Sequence, residues 1–454
     1  MAAERVDVAP LTPTQQLLYC FERATPGTAA YRVEHVFRVR GALDLVMLQA
    51  ALNRVANRHD SLRAEFSAEV PRGAEGYQFL GVVQRYAASV QVPLAVSDGP
   101  PNGPCEGEAA WIDAVLETPI ALDSAPLLQA FVRRASADEA VLVLLAHHCV
   151  WDGWSAGLFL AELGDAMTAA DAGTPWSPPP APSFAEHARR SHHERTVQWL
   201  EEHLQWWRRR FEGAPSVSAL PRDRDYPPRQ TYEAGTLWFE VPASTGSTLR
   251  RLCSELRATP FMLLSAGFAV FLRRHLGPDV VWGTAFGNRD GEGLERTVGD
   301  FATALPLRVD LSADLTFRKV LSAVRTAVLE TLPHQGTPFH KLVPALQGRS
   351  QSQRHPLFQV LMQYDREGPG HRFPLGPLTA EELPIDSRSC TLDLGVRMWE
   401  MANDDGFGGR VEFRRDVFDA ATVEALVAEY LEVLARVAAD PKAKLSALLD
   451  LTVG

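Results

Sequence analysis

Two hydrophobic periods alternate along the first third of the chain. Over 31–40, Tyr31, Val33, His35, Phe37 and Val39 interleave with Arg32, Glu34, Val36, Arg38 and Arg40, a period of two that predicts a strand with one wet face. Leu45, Leu48, Leu52 and Val55 then recur at helical spacing as far as Arg58-His59-Asp60, so the strand gives way to an amphipathic helix. Upstream, Thr12-Pro13-Thr14-Gln15 supplies a capping hydroxyl, a proline where a helix needs no N–H, and a Gln three residues after the cap, which predicts a helix running to about residue 23. Further strands are expected near 77–86 and 127–135. The run from Ala140 to Ala146 is apolar at every position, as in a strand buried on both faces and central to its sheet. The residues at its end, His147 and His148, should therefore sit in the middle of the molecule.

Between Ala172 and Ser183 lie five prolines in twelve residues, which cannot supply a regular ladder of backbone hydrogen bonds and favour an extended linker. The expected organisation is an N-terminal lobe over 1–175, a linker at 176–183 and a C-terminal lobe over 184–454. In the second lobe the pattern predicts a long helical stretch over 184–211, strands at 237–241 and 280–284, and a helix over 260–276. The texture of both halves is mixed α/β.

Composition narrows the function. With 45 Lys+Arg against 56 Asp+Glu, a net charge of −11, and 46% hydrophobic and 22% charged residues, the 454-residue chain is that of an ordinary globular protein. It lacks the basic footprint that nucleic-acid binding demands, so no nucleic-acid partner is expected. Cys20, Cys105, Cys149, Cys253 and Cys390 are odd in number and form no CxxC pair, so neither a disulfide framework nor a zinc site is expected. No run approaches the 18 apolar residues of a membrane span, and the start carries no basic segment followed by an apolar one. A cytoplasmic protein without a membrane partner is the expectation.

The chemistry concentrates in AHHCVWDGWS, residues 146–155. Successive side chains at a strand end point to opposite faces, so one of His147 and His148 should face the core and the other a cleft. Asp152, so close to a buried strand end, needs a cationic partner, and Gly153 allows close backbone approach. Other candidates are weaker: consecutive helical positions point His192 and His193 in different directions, Cys149 has no base beside it, and 287–291 lacks the spacing of a phosphate loop.

His147-His148-x-x-x-Asp152-Gly153 resembles the HHxxxDG signature of the acyltransferase superfamily that includes chloramphenicol acetyltransferase and the condensation domains of nonribosomal peptide synthetases. Further segments resemble the condensation family in the same order. LTPTQQLLY (11–19) looks like its opening motif, RHDSLRAEF (58–66) its RHExLRTxF, and VGDFATALPLR (298–308) its VGxFVNTLPLR. Pro338-Phe339 after His334-Gln335 resembles HQDYPFE, and RHPLFQV (354–360) resembles RNPLFQV. Departures occur at Ala302-Thr303-Ala304, Gly336-Thr337 and His340.

The resemblance implies two chloramphenicol-acetyltransferase-like lobes in a V-shaped pseudo-dimer with the active site between them. It implies a free-standing condensation enzyme, or a domain cut from a larger synthetase, that transfers an acyl or aminoacyl group from a carrier-protein thioester to an amine or alcohol, carrier-bound or small, forming an amide or ester. His148 would be the general base or positioning residue. His147, Asp152, Gly153 and Arg63 would support the loop, with Arg63 as the partner of Asp152, and Trp151, Ser155, Thr303 and Gln335 would line the cleft. No metal and no resident cofactor are expected, the phosphopantetheine arriving on the carrier. An epimerisation domain, or a non-catalytic recruitment domain of the same fold, are the alternatives.

Overall fold

The computed structural model describes residues 7–70, 75–98, 107–215, 220–347, 354–401 and 406–450. Cys105 lies outside these residues, and the other four cysteines are unpaired thiols. The chain forms two compact units of mixed α/β structure. The first comprises 1–199 together with 287–302 and 369–385; the second comprises 200–286, 303–368 and 386–454. The division therefore falls after Trp199 rather than in the proline-rich stretch at 176–183. Two segments from the C-terminal half belong to the first unit, because a strand hairpin and a loop from that half find their hydrogen-bond partners there.

The first unit is built on a six-stranded sheet in the order Arg372–Leu375, Leu378–Glu382, Arg32–Arg40, Glu139–His147, Leu128–Arg134 and Leu94–Asp98. The Glu139–His147 strand is central, as its composition predicts. Ala140, Leu142, Leu144 and Ala146 pack into one core with Phe37, Phe159 and Leu163, while Val141, Val143 and Leu145 pack on the other face with Val36, Trp111 and Leu116. The edge hairpin turns at Gly376, which has φ +66° and sits so close to the helix Gly153–Asp171 that a Cβ would meet Met167 at 2.7 Å. A smaller sheet joins Asp7–Ala9, Val83–Tyr86 and Ala64–Ser67. The strand expected over 77–86 is confined to Val83–Tyr86, since Leu80 and Gly81 turn the chain with positive φ.

The helical stretch expected over 184–211 is two helices, Phe184–Glu194 and Val197–Arg210. Thr196 makes the break: its hydroxyl accepts the Trp199 N–H at 3.1 Å and starts the second helix. The second unit carries another six-stranded sheet, in the order Thr303–Asp310, Asp279–Phe286, Val360–Asp365, Leu394–Glu400, Phe407–Arg414 and Ala234–Val241. Its most buried helix, Pro260–Leu276, is capped by Thr259, begins with proline and ends at Gly277. Among the described residues no single helix is long and apolar enough to cross a membrane.

Candidate functional site

The two histidines take the opposite fates that a strand end imposes. His147 is buried, its Nδ1 accepting the Cys149 N–H at 3.1 Å, with Glu22 4.0 Å from Nε2. Burial lowers its pKa against the pull of Glu22. His148 begins a single 3₁₀ turn, and its backbone N–H is held by Tyr31 O at 2.8 Å. Its side chain keeps 33% of its surface exposed.

Behind that turn stands the opening helix, Pro13–Ala24. Thr12 and Gln15 form a capping box, with the Thr12 N–H donating to Gln15 Oε1 at 2.9 Å. That fixes the Gln15 amide, whose Nε2 donates to Cys149 O at 2.8 Å and Gln84 Oε1 at 3.0 Å. A local capping motif thereby anchors the histidine turn from 134 residues away.

Asp152 caps the helix Gly153–Asp171 through the Ser155 N–H at 2.8 Å. Its cationic partner is Arg289, whose Nη2 lies 2.8 and 3.0 Å from the two carboxylate oxygens; the side chains are 6% and 2% exposed. This corrects the expectation for Arg63, which donates instead to Ala87 O. Arg289 also donates to Leu294 O, Thr297 O and Ser155 Oγ, and lies over the Phe301 ring at 4.1 Å. No spacing in the sequence links residues 152 and 289.

The same helix start grips 298–301. Ser155 Oγ donates to Gly299 O at 2.8 Å and accepts the Gly299 N–H at 2.9 Å, while Asp152 Oδ2 accepts the Phe301 N–H at 3.1 Å. From the other side Ser61 Oγ donates to Val298 O at 2.6 Å and His59 Nδ1 accepts the Val298 N–H at 3.4 Å. Asp60 turns outward and caps the helix Phe184–Glu194, accepting Ser183 Oγ at 2.6 Å and the Phe184 and Ala185 N–H groups. The RHDS, HHxxxDG and VGDF segments, far apart in sequence, thus form one hydrogen-bonded clamp within the first unit.

The clamp sets Asp300 opposite His148. Asp300 Oδ1 is 3.4 Å from His148 Nδ1, and the Asp300 side chain is fully buried. Neither carboxylate oxygen has a hydrogen-bond partner among the described residues. Burial pushes Asp300 up to about 6 despite the facing imidazole. For His148 burial acts downward, but the Asp300 carboxylate, with Asp152 behind it, outweighs it and holds the imidazole above its ordinary 6.5. Sequence reasoning misses Asp300: 298–308 matches a motif, but nothing in the motif says what its third residue faces.

The remaining expected site residues divide. Trp151 and Ser155 are fully buried and line no cleft: Trp151 packs on Phe159 at 5.0 Å, and Ser155 is the tether just described. Gly153 is exposed, and a Cβ there would meet nothing within 4 Å, so packing does not require glycine. Thr303, which opens its strand, and Gln335, at the end of the Leu332–His334 turn, belong to the second unit. His192 and His193 are exposed beside Tyr77. Among the described residues no group of three or more His, Cys, Asp or Glu is placed to hold a metal.

A family model described as Condensation domain matches residues 5–452. Isonitrile lipopeptide synthase of Mycobacterium tuberculosis is 31% identical over 464 residues, 99% of this chain and 18% of that protein. Phosphinothricin tripeptide synthetase PhsC of Streptomyces viridochromogenes is 33% identical over 453 residues, 98% of this chain and 40% of the relative. The chain thus spans less than half the length of these curated relatives. Among solved structures, the X-domain from teicoplanin biosynthesis, in complex with OxyB, matches with a TM-score of 0.81 at 29% identity, over 99% of this chain and 98% of that one. With a match over nearly its whole length and the motifs in order, the chain belongs to the condensation-domain family of nonribosomal peptide synthesis, whose members are in general acyltransferases.

Proposed function

We propose that this domain transfers an acyl or aminoacyl group from a phosphopantetheinyl carrier-protein thioester to an amine or alcohol, with His148 handling the proton. The observation that carries this reading is an imidazole one-third exposed (33%) at the end of a strand buried from Ala140 to His147, held by Tyr31 O and the Gln15–Cys149 bond. A rigid element presenting one titratable group to solvent suits proton transfer in a defined pose. An alcohol must lose its proton as it attacks the thioester carbonyl, and His148 would then be the general base. An amine can attack unaided, and His148 would take the proton from the ammonium of the tetrahedral adduct. In both cases the C–S bond breaks and the proton passes to the departing thiolate. No group bound to this chain is needed, since the carrier brings the phosphopantetheine.

The test is mass spectrometry of acyl-loaded carriers incubated with mixed amine and alcohol acceptors. Wild type should discharge a carrier into an amide or ester, and His148→Ala should be slower by roughly 10²-fold or more. Exchange of the α-hydrogen of a carrier-bound aminoacyl group for deuterium, with no acceptor present, would indicate epimerisation instead.

The likeness to a domain solved with OxyB favours a second reading, recruitment of a separate protein without turnover. His148, Asp152 and Gly153 all in place weigh against it. Binding of a partner with no carrier discharge under any pairing would favour recruitment.

A further inference from the structure

We infer that Asp300 is a positioning residue for His148: its carboxylate takes the Nδ1–H of the imidazole and leaves the Nε2 lone pair as the proton acceptor. This deepens the reading of His148 given above and rests on it only for the identity of the reaction.

The geometry stands on its own. Asp300 is wholly buried, neither of its oxygens has another hydrogen-bond partner among the described residues, and the imidazole Nδ1 lies 3.4 Å from Oδ1. An ionised carboxylate without solvent or donors is costly to bury, and the group able to relieve it is the imidazole N–H it faces. The nearby cation, Arg289, is engaged by both oxygens of Asp152 and by four other oxygens, those of Leu294, Thr297, Gly299 and the Ser155 hydroxyl. The contact is at ion-pair range, longer than a formed hydrogen bond, as catalytic contacts often are before substrate binds. Asp300 cannot drift, because the backbone on either side of it is fixed by Ser155 and Asp152 through Gly299 and Phe301.

A neutral imidazole carries one proton on one nitrogen, and its other nitrogen is the base. A carboxylate at Nδ1 therefore decides which face of the ring accepts a proton. When a nucleophile gives its proton to Nε2, the resulting imidazolium stands beside a negative charge, and on release of that proton to the thiolate the ring returns to the same tautomer. The charged and titratable groups around the pair are Asp152 and Arg289 at the helix start, His147 on the strand end with Glu22 behind it, the Cys149 thiol, and Tyr31, whose ring stands edge-on to the imidazole at 6.4 Å. Asp300 stands at ion-pair distance from the His148 ring, 3.4 Å from Nδ1.

The test reads the ring without any substrate. In protein labelled with ¹⁵N-histidine, with His148 assigned by comparison with His148→Gln, Nδ1 should be the protonated nitrogen of the neutral ring and Nε2 the one that titrates. In Asp300→Asn, of the same shape without the charge, the His148 midpoint should fall by about one pH unit or more. An Nε2–H tautomer in wild type, or an unchanged midpoint in Asp300→Asn, would overturn the inference. Wild-type tautomer assignment needs no variant to fold. Where a discharge assay runs, Asp300→Asn should lower kcat and move the acid limb of its pH profile down, with KM unchanged. A correct tautomer with no discharged carrier would refute the proposed reaction and leave the Asp300–His148 pairing standing.

Discussion

Arg289 holds both oxygens of Asp152 at 2.8 and 3.0 Å across 137 residues of sequence, in a setting where both side chains are almost entirely buried. Removing one partner strands the other as an unpaired charge, which typically costs about 3–5 kcal/mol. Asp152→Ala and Arg289→Ala should each lower the urea midpoint, and the double variant should cost less than the sum. Asp152→Ala with Arg63→Ala should be additive, since Arg63 contacts Ala87 O instead. A coupling between Asp152 and Arg63 larger than that between Asp152 and Arg289 would contradict the assignment.

Gly153 offers a cleaner separation of stability from activity. A Cβ at this position meets no atom within 4 Å, and the residue is the first of a helix, so Gly153→Ala should leave the melting temperature within a few degrees. Carrier discharge should nevertheless drop, because a methyl group would enter the open space beside Asp152. Equal discharge rates in the two proteins would remove Gly153 from the reaction.

Gln15 should behave as a distant support of His148. Replacing its buried amide with Ala takes the donor from Cys149 O and the acceptor from the Thr12 N–H, while Gln84 Oε1 keeps the Tyr86 hydroxyl, a loss of about 1–3 kcal/mol. Hydrogen exchange at Cys149 and Val150 should accelerate in Gln15→Ala while the Pro260–Leu276 helix in the other unit is unaffected.

His355 predicts an acid limb. Burial drives it down to about 4, against hydrogen bonds that favour the charged ring, and its Nδ1 lies 2.9 Å from Phe358 O between the Phe339 and Phe358 rings. A histidine whose folded pKa is depressed contributes stability above its unfolded value near 6.5, and that stability is lost as pH falls through about 4. Asn at this position, the residue in the related motif, can donate to the same carbonyl without titrating. His355→Asn should lose less stability than wild type between pH 6.5 and 4 in thermal melts; parallel pH curves would refute the attribution.

How much of the site is legible in the sequence depends on the range of each interaction. The Glu139–His147 strand is legible because every position in its apolar run is committed to one face or the other, and period two then separates His147 from His148. The capping box is legible because Thr12 and Gln15 are three residues apart. Arg289 is not, since an arginine in a loop carries no mark of the carboxylate it will meet. Trp151 and Ser155 escape for a related reason: residues flanking an active motif need not share its exposure, and the 3₁₀ turn at His148–Val150 and the new helix rotate them inward. The break at Thr196 is hidden because 189–196 is polar throughout, so no apolar period marks where one helix ends and the next begins.

The return of 287–302 and 369–385 to the first unit fixes the order in which this protein can be finished. On the ribosome, the first 199 residues emerge with Asp152 and His148 but without Arg289, Asp300 or the hairpin that covers the edge of the Arg32–Arg40 strand. Most of the second unit's chain must be synthesised before the first can close. A gene cut at the proline-rich stretch would accordingly yield an N-terminal fragment with an unpaired buried aspartate and an open sheet edge, prone to aggregate, so recombination or engineering that treats the halves as exchangeable modules should fail at this boundary.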